Sequence, residues 1–267
     1  MRRVRAEATW PESWKLSYAY DLEEVYGEIT HRGYAAAYRE RRRHTLNLIA
    51  EVLPPGSRIL DIAAAQGNFS IALAEMGYRV TWNDLRAELA DYVRLKHERG
   101  DLAFAPGNAF ELPFERAFDA VLATEIIEHV AHPDRFLANV AALVRPHGHI
   151  VLTTPNGAYF RNRLPKFSDC PDPGVFEAGQ FKPNADGHIF LLYPDELRDL
   201  SVRAGLELER LLLFTNPLTI GHVRTERLLG LLPASLVRAV EQGTRRLPPA
   251  LHRRLMFQMG ARLRKPG

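Results

Sequence analysis

Arg58-Ile59-Leu60-Asp61-Ile62-Ala63-Ala64-Ala65-Gln66-Gly67 is the stretch whose reading decides the fold. An apolar run ends in an acid, passes through small residues and enters Asn68 to Met76, where Phe69, Ala72, Leu73 and Met76 recur at helical spacing. Small residues in such a turn let backbone approach a ligand, although a tight strand-to-helix connection with no ligand would use the same ones. Gly77 suits the helix end.

Outward from this unit, short β-rich runs alternate with helical patterns, the signature of βαβ units and a parallel sheet. The strand candidates are Arg58 to Ile62, Tyr78 to Asn83, Leu102 to Ala105, Phe118 to Thr124 and His149 to Thr154. Helical periodicity fills Leu85 to Arg99 and Pro133 to Val144, with Pro133 suited to a first helical position. A helix over Pro194 to Ala204 then leads to a sixth strand at Leu206 to Phe214. In the last segment Leu255, Phe257, Met259, Ala261 and Leu263 alternate with more polar neighbours, which predicts a final strand at or near a sheet edge. Residues 1–52 read as helical, and residues 155–193 are rich in Pro, Gly and aromatics; both are placed to cover a site.

Chemistry-bearing residues fall at the strand ends. Asp84 closes the second strand 23 residues beyond Asp61, where a carboxylate can accept both hydroxyls of a ribose. A dinucleotide-binding fold uses an acid there for the same reason, and a helix N-cap is the plain alternative. Gly107-Asn108-Ala109 follows the third strand, where the Asn108 side chain offers an acceptor oxygen. The fourth strand gives Phe118-Asp-Ala-Val-Leu-Ala-Thr-Glu-Ile-Ile-Glu-His-Val130, and the fifth is entered through Leu143-Val-Arg-Pro-His-Gly-His149.

These motifs, in this order over about residues 45–154, resemble the class I S-adenosylmethionine-dependent methyltransferases, and within them the ubiquinone-biosynthesis O-methyltransferase group. The family's first motif is Asp-x-Gly-x-Gly-x-Gly; here Ala63 and Ala65 stand at the first two glycine positions and Gly67 alone is retained. The resemblance implies an α/β, Rossmann-like fold: a mostly parallel sheet ordered 3-2-1-4-5-7-6 with the last strand antiparallel and helices on both faces. It implies S-adenosylmethionine held by Asp61, Ala63, Ala65, Gly67, Asp84, Asn108, Ala109 and Glu125, and methyl transfer to a hydroxyl. Glu125, Glu128 and His129, with His188 further on, also resemble the small-RNA 2′-O-methyltransferases, in which such a set holds a divalent metal ion. In metal-free relatives of the same pattern, Glu125 lies near the cofactor and His129 serves as general base.

Composition sets the outer limits. The 267 residues suit one large domain, and 46% hydrophobic with 25% charged residues is ordinary for a folded chain. The expected organisation is a single domain over 1–267: a helical cap over 1–52, a cofactor-binding core over 53–214 carrying the 155–193 insertion, and a basic insertion with the final strand over 215–267. No apolar run approaches the roughly 18 residues of a membrane span. The start has no apolar h-region and Cys170 has no internal partner, so a cytoplasmic location is expected. Net charge is +3, distributed as +2 over residues 1–58, −7 over 59–214 and +8 over 215–267. The acidic core argues against a nucleic-acid substrate and leaves a small-molecule, lipid or glycan hydroxyl. Residues 220–247 place Ile220, Val223, Leu228, Leu231, Leu232, Leu236 and Val240 among arginines, which suits a lid, a dimer face or a peripheral membrane contact. Tyr92 and Lys96 have the spacing of a dehydrogenase pair but follow the second strand, too early for that site, and read as a solvated helix face. Arg39 to Arg43 read as surface, with an acidic substrate group as the alternative partner. The rivals are a nicotinamide-dependent reductase, disfavoured by the missing Gly-x-Gly-x-x-Gly, and a non-catalytic relative that binds the cofactor or a partner.

Overall fold

The computed structural model describes residues 1–28, 30–114, 117–180, 187–222, 225, 232–244 and 246–267. Two helices, α1 (Glu12–Glu24) and α2 (Arg32–Ala50), precede the sheet. The alternation follows: β1 (Arg58–Ile62), α3 (Asn68–Glu75), β2 (Arg79–Trp82), α4 (Leu89–Lys96), β3 (Asp101–Phe104), β4 (Phe118–Thr124), α5 (Pro133–Leu143) and β5 (Val144–Pro155). The chain ends with α6 (Pro194–Arg203), β6 (Glu207–Phe214), α7 (Ala234–Thr244), α8 (Pro249–Leu255) and β7 (Gln258–Arg264). The seven-stranded sheet runs β3-β2-β1-β4-β5-β7-β6. Strands β1 to β5 pair in parallel, while β7 is antiparallel to both β5 and β6.

Side chains alternate between two apolar layers because strand periodicity is two. Leu60, Ile62, Val121, Ala123, Ile150 and Leu152 face α5 and α6, where Leu137, Val140, Leu197 and Leu200 are buried. Ile59, Val80, Ala120, Leu122 and Val151 face α2 and α3, against Leu48, Ile49, Phe69 and Leu73. Helices therefore cover both faces, and truncating a fully buried residue such as Leu122 to alanine would cost about 2–5 kcal/mol.

Three expectations change. They do not include the place of the final strand, which lies near the sheet edge as expected, between β5 and the edge strand β6. The more polar face of β7 is covered by α2: Arg262 Nη1 donates to Leu48 O at 3.1 Å and pairs with Glu51, and a Cβ added to Gly260 would sit 3.2 Å from the Phe214 ring. Leu255, expected in that strand, belongs to α8. Strand β5 begins at Val144 rather than His149, with a register shift against β4 between Phe118 and Ala120 and His147 in a left-handed conformation at φ 61°.

The pair Tyr92 and Lys96 is the third correction, since both are fully buried rather than solvated. Lys96 Nζ donates to Asp21 Oδ2 at 2.7 Å and to Asn68 Oδ1 at 2.8 Å, and Tyr92 Oη donates to the same Asp21 oxygen at 2.7 Å. Asn68 Nδ2 reaches the other Asp21 oxygen at 2.8 Å. This assembly bolts α1 to α3 and α4. Part of the amphipathic stretch 220–247 lies outside the described residues; of the remainder, α7 is a helix whose Glu241 is buried and accepts from Asn216 N at 3.0 Å and from Thr219. No helix among the described residues is long and apolar enough to cross a membrane.

Candidate active site

The carboxyl ends of β1 and β4 are neighbours, with Ile62 opposite Ala123, so residues 63–67 and 125–129 share one rim. Crossovers leave β1 towards β2 and β4 towards β5, in opposite directions, which opens the ligand crevice of a doubly wound sheet at this point.

The turn after β1 adopts glycine geometry without glycines at two of its positions: φ is 54° at Ala63, 45° at Ala65 and 70° at Gly67. Left-handed backbone costs a side-chain-bearing residue roughly 1–2 kcal/mol. The turn is pinned by Ala64 N donating to Asn83 O at 2.9 Å, Ala65 N donating to Asp84 Oδ2 at 2.9 Å and Trp82 Nε1 donating to Ala65 O at 3.0 Å. Gly67 is required twice, because a Cβ there would also lie 2.8 Å from both Val93 methyls. Behind the turn Asp61 is buried, with Oδ2 accepting from Ser70 Oγ at 2.5 Å and Oδ1 without a partner. Burial is the main cause that pushes its carboxyl up to about 7, with the neighbouring Asp84 adding to it.

Asp84 is buried at the end of β2, its carboxylate held by Ala65 N and by Arg86. Asn108 Oδ1 accepts from Phe110 N at 3.1 Å and its Nδ2 donates to Glu111 at 2.8 Å, leaving one lone pair on the oxygen for a ligand. The Ala109 side chain is buried in the apolar layer, so only its backbone is available to a cofactor.

After β4 the chain turns sharply, with Glu125 at φ 51° and its N–H donating to Thr153 O at 2.9 Å. A strained, non-glycine residue at a rim of this kind points to function. The turn parts Glu125 from its neighbours. Its Oε2 accepts from Arg41 Nη1 at 3.0 Å, while Oε1 is buried and unpartnered. Glu128, on a short 3-10 turn (Ile127–His129), is fully buried: Oε2 accepts from Thr154 Oγ1 at 3.0 Å and Oε1 has no partner. Burial first, and Glu125 second, raise its carboxyl well above the ordinary range.

The insertion returns beside this turn, with Ile189 N donating to Glu128 O at 2.7 Å and His129 Nδ1 placed 3.3 Å from Gly187 O. The His129 and His188 rings stand edge to face at 4.9 Å. Ligand atoms of Glu128, His129 and His188 lie within 4.8 Å of one another. Three of the four expected metal ligands are thereby brought together, and Glu125 stands outside the group. His188 sits at the exposed rim yet is held below the ordinary imidazole range, by desolvation first and the His129 ring second. An unpartnered buried carboxylate oxygen with two imidazoles is a donor set that fits a divalent cation.

Arg41 was not legible as a site residue. It projects from α2 to Glu125, its guanidinium carbon 5.4 Å from the Tyr38 ring centroid, and its Nε and the Tyr38 hydroxyl are buried without partners. With the Gln258 amide turned so that nitrogen faces Ala37 O and Thr215 Oγ1, its oxygen accepts from Arg41 Nη1 at 3.3 Å. On the other side Glu24 accepts from Gln66 Nε2 at 3.0 Å and Asn68 Nδ2 at 2.9 Å, so the helical cap reaches the β1 turn directly. An inward arginine within Arg39 to Arg43 has a sequence trace only in the spacing of Tyr34, Tyr38 and Arg41 along one helix face.

Known proteins agree with this fold. The family described as Methyltransferase domain matches residues 34–211. A ubiquinone biosynthesis O-methyltransferase of Xanthomonas axonopodis pv. citri (strain 306) is 29% identical over 197 residues, covering 70% of this chain and 80% of that protein. One from Caulobacter sp. (strain K31) is 32% identical over 152 residues, covering 54% of this chain and 56% of the other. Among solved structures, the N-methyltransferase NodS of Bradyrhizobium japonicum WM9 in complex with S-adenosyl-l-homocysteine superimposes with a TM-score of 0.54 at 13% identity, over 96% of this chain and 100% of that one. The [4+2]-cyclase SpnF reaches 0.55 at 20% identity over 96% and 97%, and at such identities both likenesses speak for the fold alone. The chain belongs to the methyltransferase domain family and is a class I, Rossmann-like, S-adenosylmethionine-dependent methyltransferase.

Proposed function

We propose that the protein transfers the methyl group of S-adenosylmethionine to a hydroxyl oxygen of a small molecule, lipid or glycan, with His129 accepting the hydroxyl proton. The observation that carries this reading is the placement of His129 on the β4 rim, one turn from Glu125 and across from the β1 turn that would bear the cofactor. Names of the relatives from Xanthomonas and Caulobacter support oxygen as the acceptor.

Asp84 takes the ribose, Asn108 the adenine amino group, and the Arg41 cation the cofactor carboxylate. The turn Ala63 to Gly67 supplies close backbone approach, and Glu125 orients Arg41. In-line attack needs the oxygen and the methyl carbon held at about 3–3.5 Å, which is the task of the cap and the insertion. A second reading rests on the grouping of Glu128, His129 and His188, which would hold a divalent cation. Such an ion, when bound, would act as a Lewis acid that lowers the hydroxyl's pKa.

Asp84→Ala should weaken S-adenosylmethionine about 10- to 150-fold, a lost charge-assisted pair. His129→Ala should lower methyl transfer by about 100- to 10,000-fold with cofactor affinity unchanged, measured as S-adenosylhomocysteine formed from a panel of phenols, catechols and sugar or lipid alcohols. Full activity of a folded His129→Ala protein would remove the base. His188→Ala separates the two readings: loss of activity together with bound metal supports the cation. Undiminished activity in excess chelator, with no metal by elemental analysis, leaves His129 to act by itself.

A further inference from the structure

We propose that Arg86 is an internal competitor for the ribose hydroxyls at Asp84, so that the enzyme binds cofactor and product more weakly than its carboxylate alone would allow; the inference rests on the reading of Asp84 as ribose acceptor. A carboxylate offers two oxygens and about four lone-pair positions. All four are taken. Asp84 Oδ1 accepts from Arg86 N at 2.9 Å and Arg86 Nε at 2.9 Å, and Oδ2 accepts from Ala65 N at 2.9 Å and Arg86 Nη2 at 3.1 Å. Two of these donors are backbone and fixed by the turns they belong to. The other two are the guanidinium fork, which meets both oxygens at once.

The two ribose hydroxyls would need the same two oxygens, so one pair of donors displaces the other. Exposure decides which group moves. The Asp84 side chain is 4% exposed and held by backbone N–H groups, whereas that of Arg86 is 47% exposed. Glu88, two residues on at the N-terminus of α4, also attracts the guanidinium and gives it somewhere to go. Because cofactor and product carry the same ribose, the competitor weakens both by the same factor. It therefore shortens product residence without discriminating between the two ligands. A pair whose cation remains half exposed to solvent is worth roughly 1.5- to 5-fold in an equilibrium.

Titration calorimetry of S-adenosylhomocysteine into the full chain tests this, comparing wild type with Arg86→Ala, Asp84→Ala and Asp84→Asn. Arg86→Ala is expected to bind about 1.5- to 5-fold more tightly, and the gap should narrow at high salt as the ion pair is screened. Both Asp84 variants should bind more weakly, the asparagine guarding against a folding failure because it keeps an acceptor for Ala65 N. Equal or weaker binding by Arg86→Ala, with the Asp84 variants at least tenfold weakened, overturns the competitor and leaves the ribose reading standing. Wild-type affinity in a folded Asp84 variant overturns the ribose reading itself.

Discussion

Two buried charge assemblies flank the β1 turn, and they differ in one respect. In the Asp21, Asn68, Tyr92 and Lys96 assembly both charged side chains are 0% exposed, and each polar side-chain atom has a partner. In the Arg41, Glu125 and Glu128 assembly, Arg41 Nε, Glu125 Oε1 and Glu128 Oε1 are buried with none. A buried polar atom without a partner costs about 1–3 kcal/mol, so a cluster of them persists only where something else repays it. The complete assembly is a joint of the fold, and the incomplete one is the place the proposed function gives to a ligand.

The largest expected effect breaks the joint. Lys96→Met leaves Asp21 charged and uncompensated in a dry site, which should cost about 3–5 kcal/mol in denaturant unfolding. Adding Asp21→Leu removes the stranded charge and should recover most of that loss. A small cost for the single variant, or no recovery in the double, would show that water reaches the pair and that the two assemblies are alike.

Asp61 sharpens the comparison from the incomplete side, through pH. Its folded-state carboxyl, raised to about 7, lies above its unfolded value, so the folded protein holds the proton more tightly. The sign follows: this contribution to stability is full below about pH 4 and is lost as pH rises through about 7. The loss is at most about 4 kcal/mol, three units at 1.36 kcal/mol each. Asp61→Asn should abolish that fall, and parallel stability curves for wild type and variant at pH 5 and pH 8 would contradict it.

What the sequence showed, and what it hid, divides along the same line. Strands β1 and β4 have the expected boundaries because their apolar runs and their flanks are local features. The partner of Lys96 is Asp21, 75 residues away, and helical periodicity carries no trace of a cap folding back over α4. The covering of the polar face of β7 is non-local in the same way, since it is explained only by α2, more than 200 residues earlier, whereas the place of β7 between β5 and β6 is implied by the resemblance. Of the candidate site residues, Asp61, Asp84 and Glu125 stand at the strand ends where the sequence puts them. Arg41 was not legible, because one inward arginine among four reads as charged surface.

Arg41→Met probes the incomplete assembly directly. Its side chain is 12% exposed and that of Glu125 24%, so water can reach the stranded carboxylate. The stability cost should therefore be smaller than that of Lys96→Met. Affinity for S-adenosylmethionine should fall about 10- to 150-fold, the loss of a charge-assisted contact. The reverse pattern, a large loss of stability with cofactor affinity intact, would make Arg41 another joint.

The smallest effect concerns the turn between the two assemblies. Ala63 and Ala65 hold φ of 54° and 45°, each straining the folded state by roughly 1–2 kcal/mol. Glycine removes that strain but enlarges the unfolded ensemble, which offsets about 0.4–1 kcal/mol per site. Ala63→Gly and Ala65→Gly should each stabilise the protein by about 0.5–1 kcal/mol, a gain of the opposite sign to the glycine substitutions usual elsewhere. Both positions are half-buried and Ala63 packs against the apolar layer, so the loss of its methyl group offsets part of the gain there and places Ala63→Gly at the low end of the range. The unfolding midpoint of each variant reads the result. A lower midpoint would mean that the alanine methyl groups pack well enough to outweigh their strain, and the turn would then belong with the finished joint beside Asp21 rather than with the open site beside Arg41.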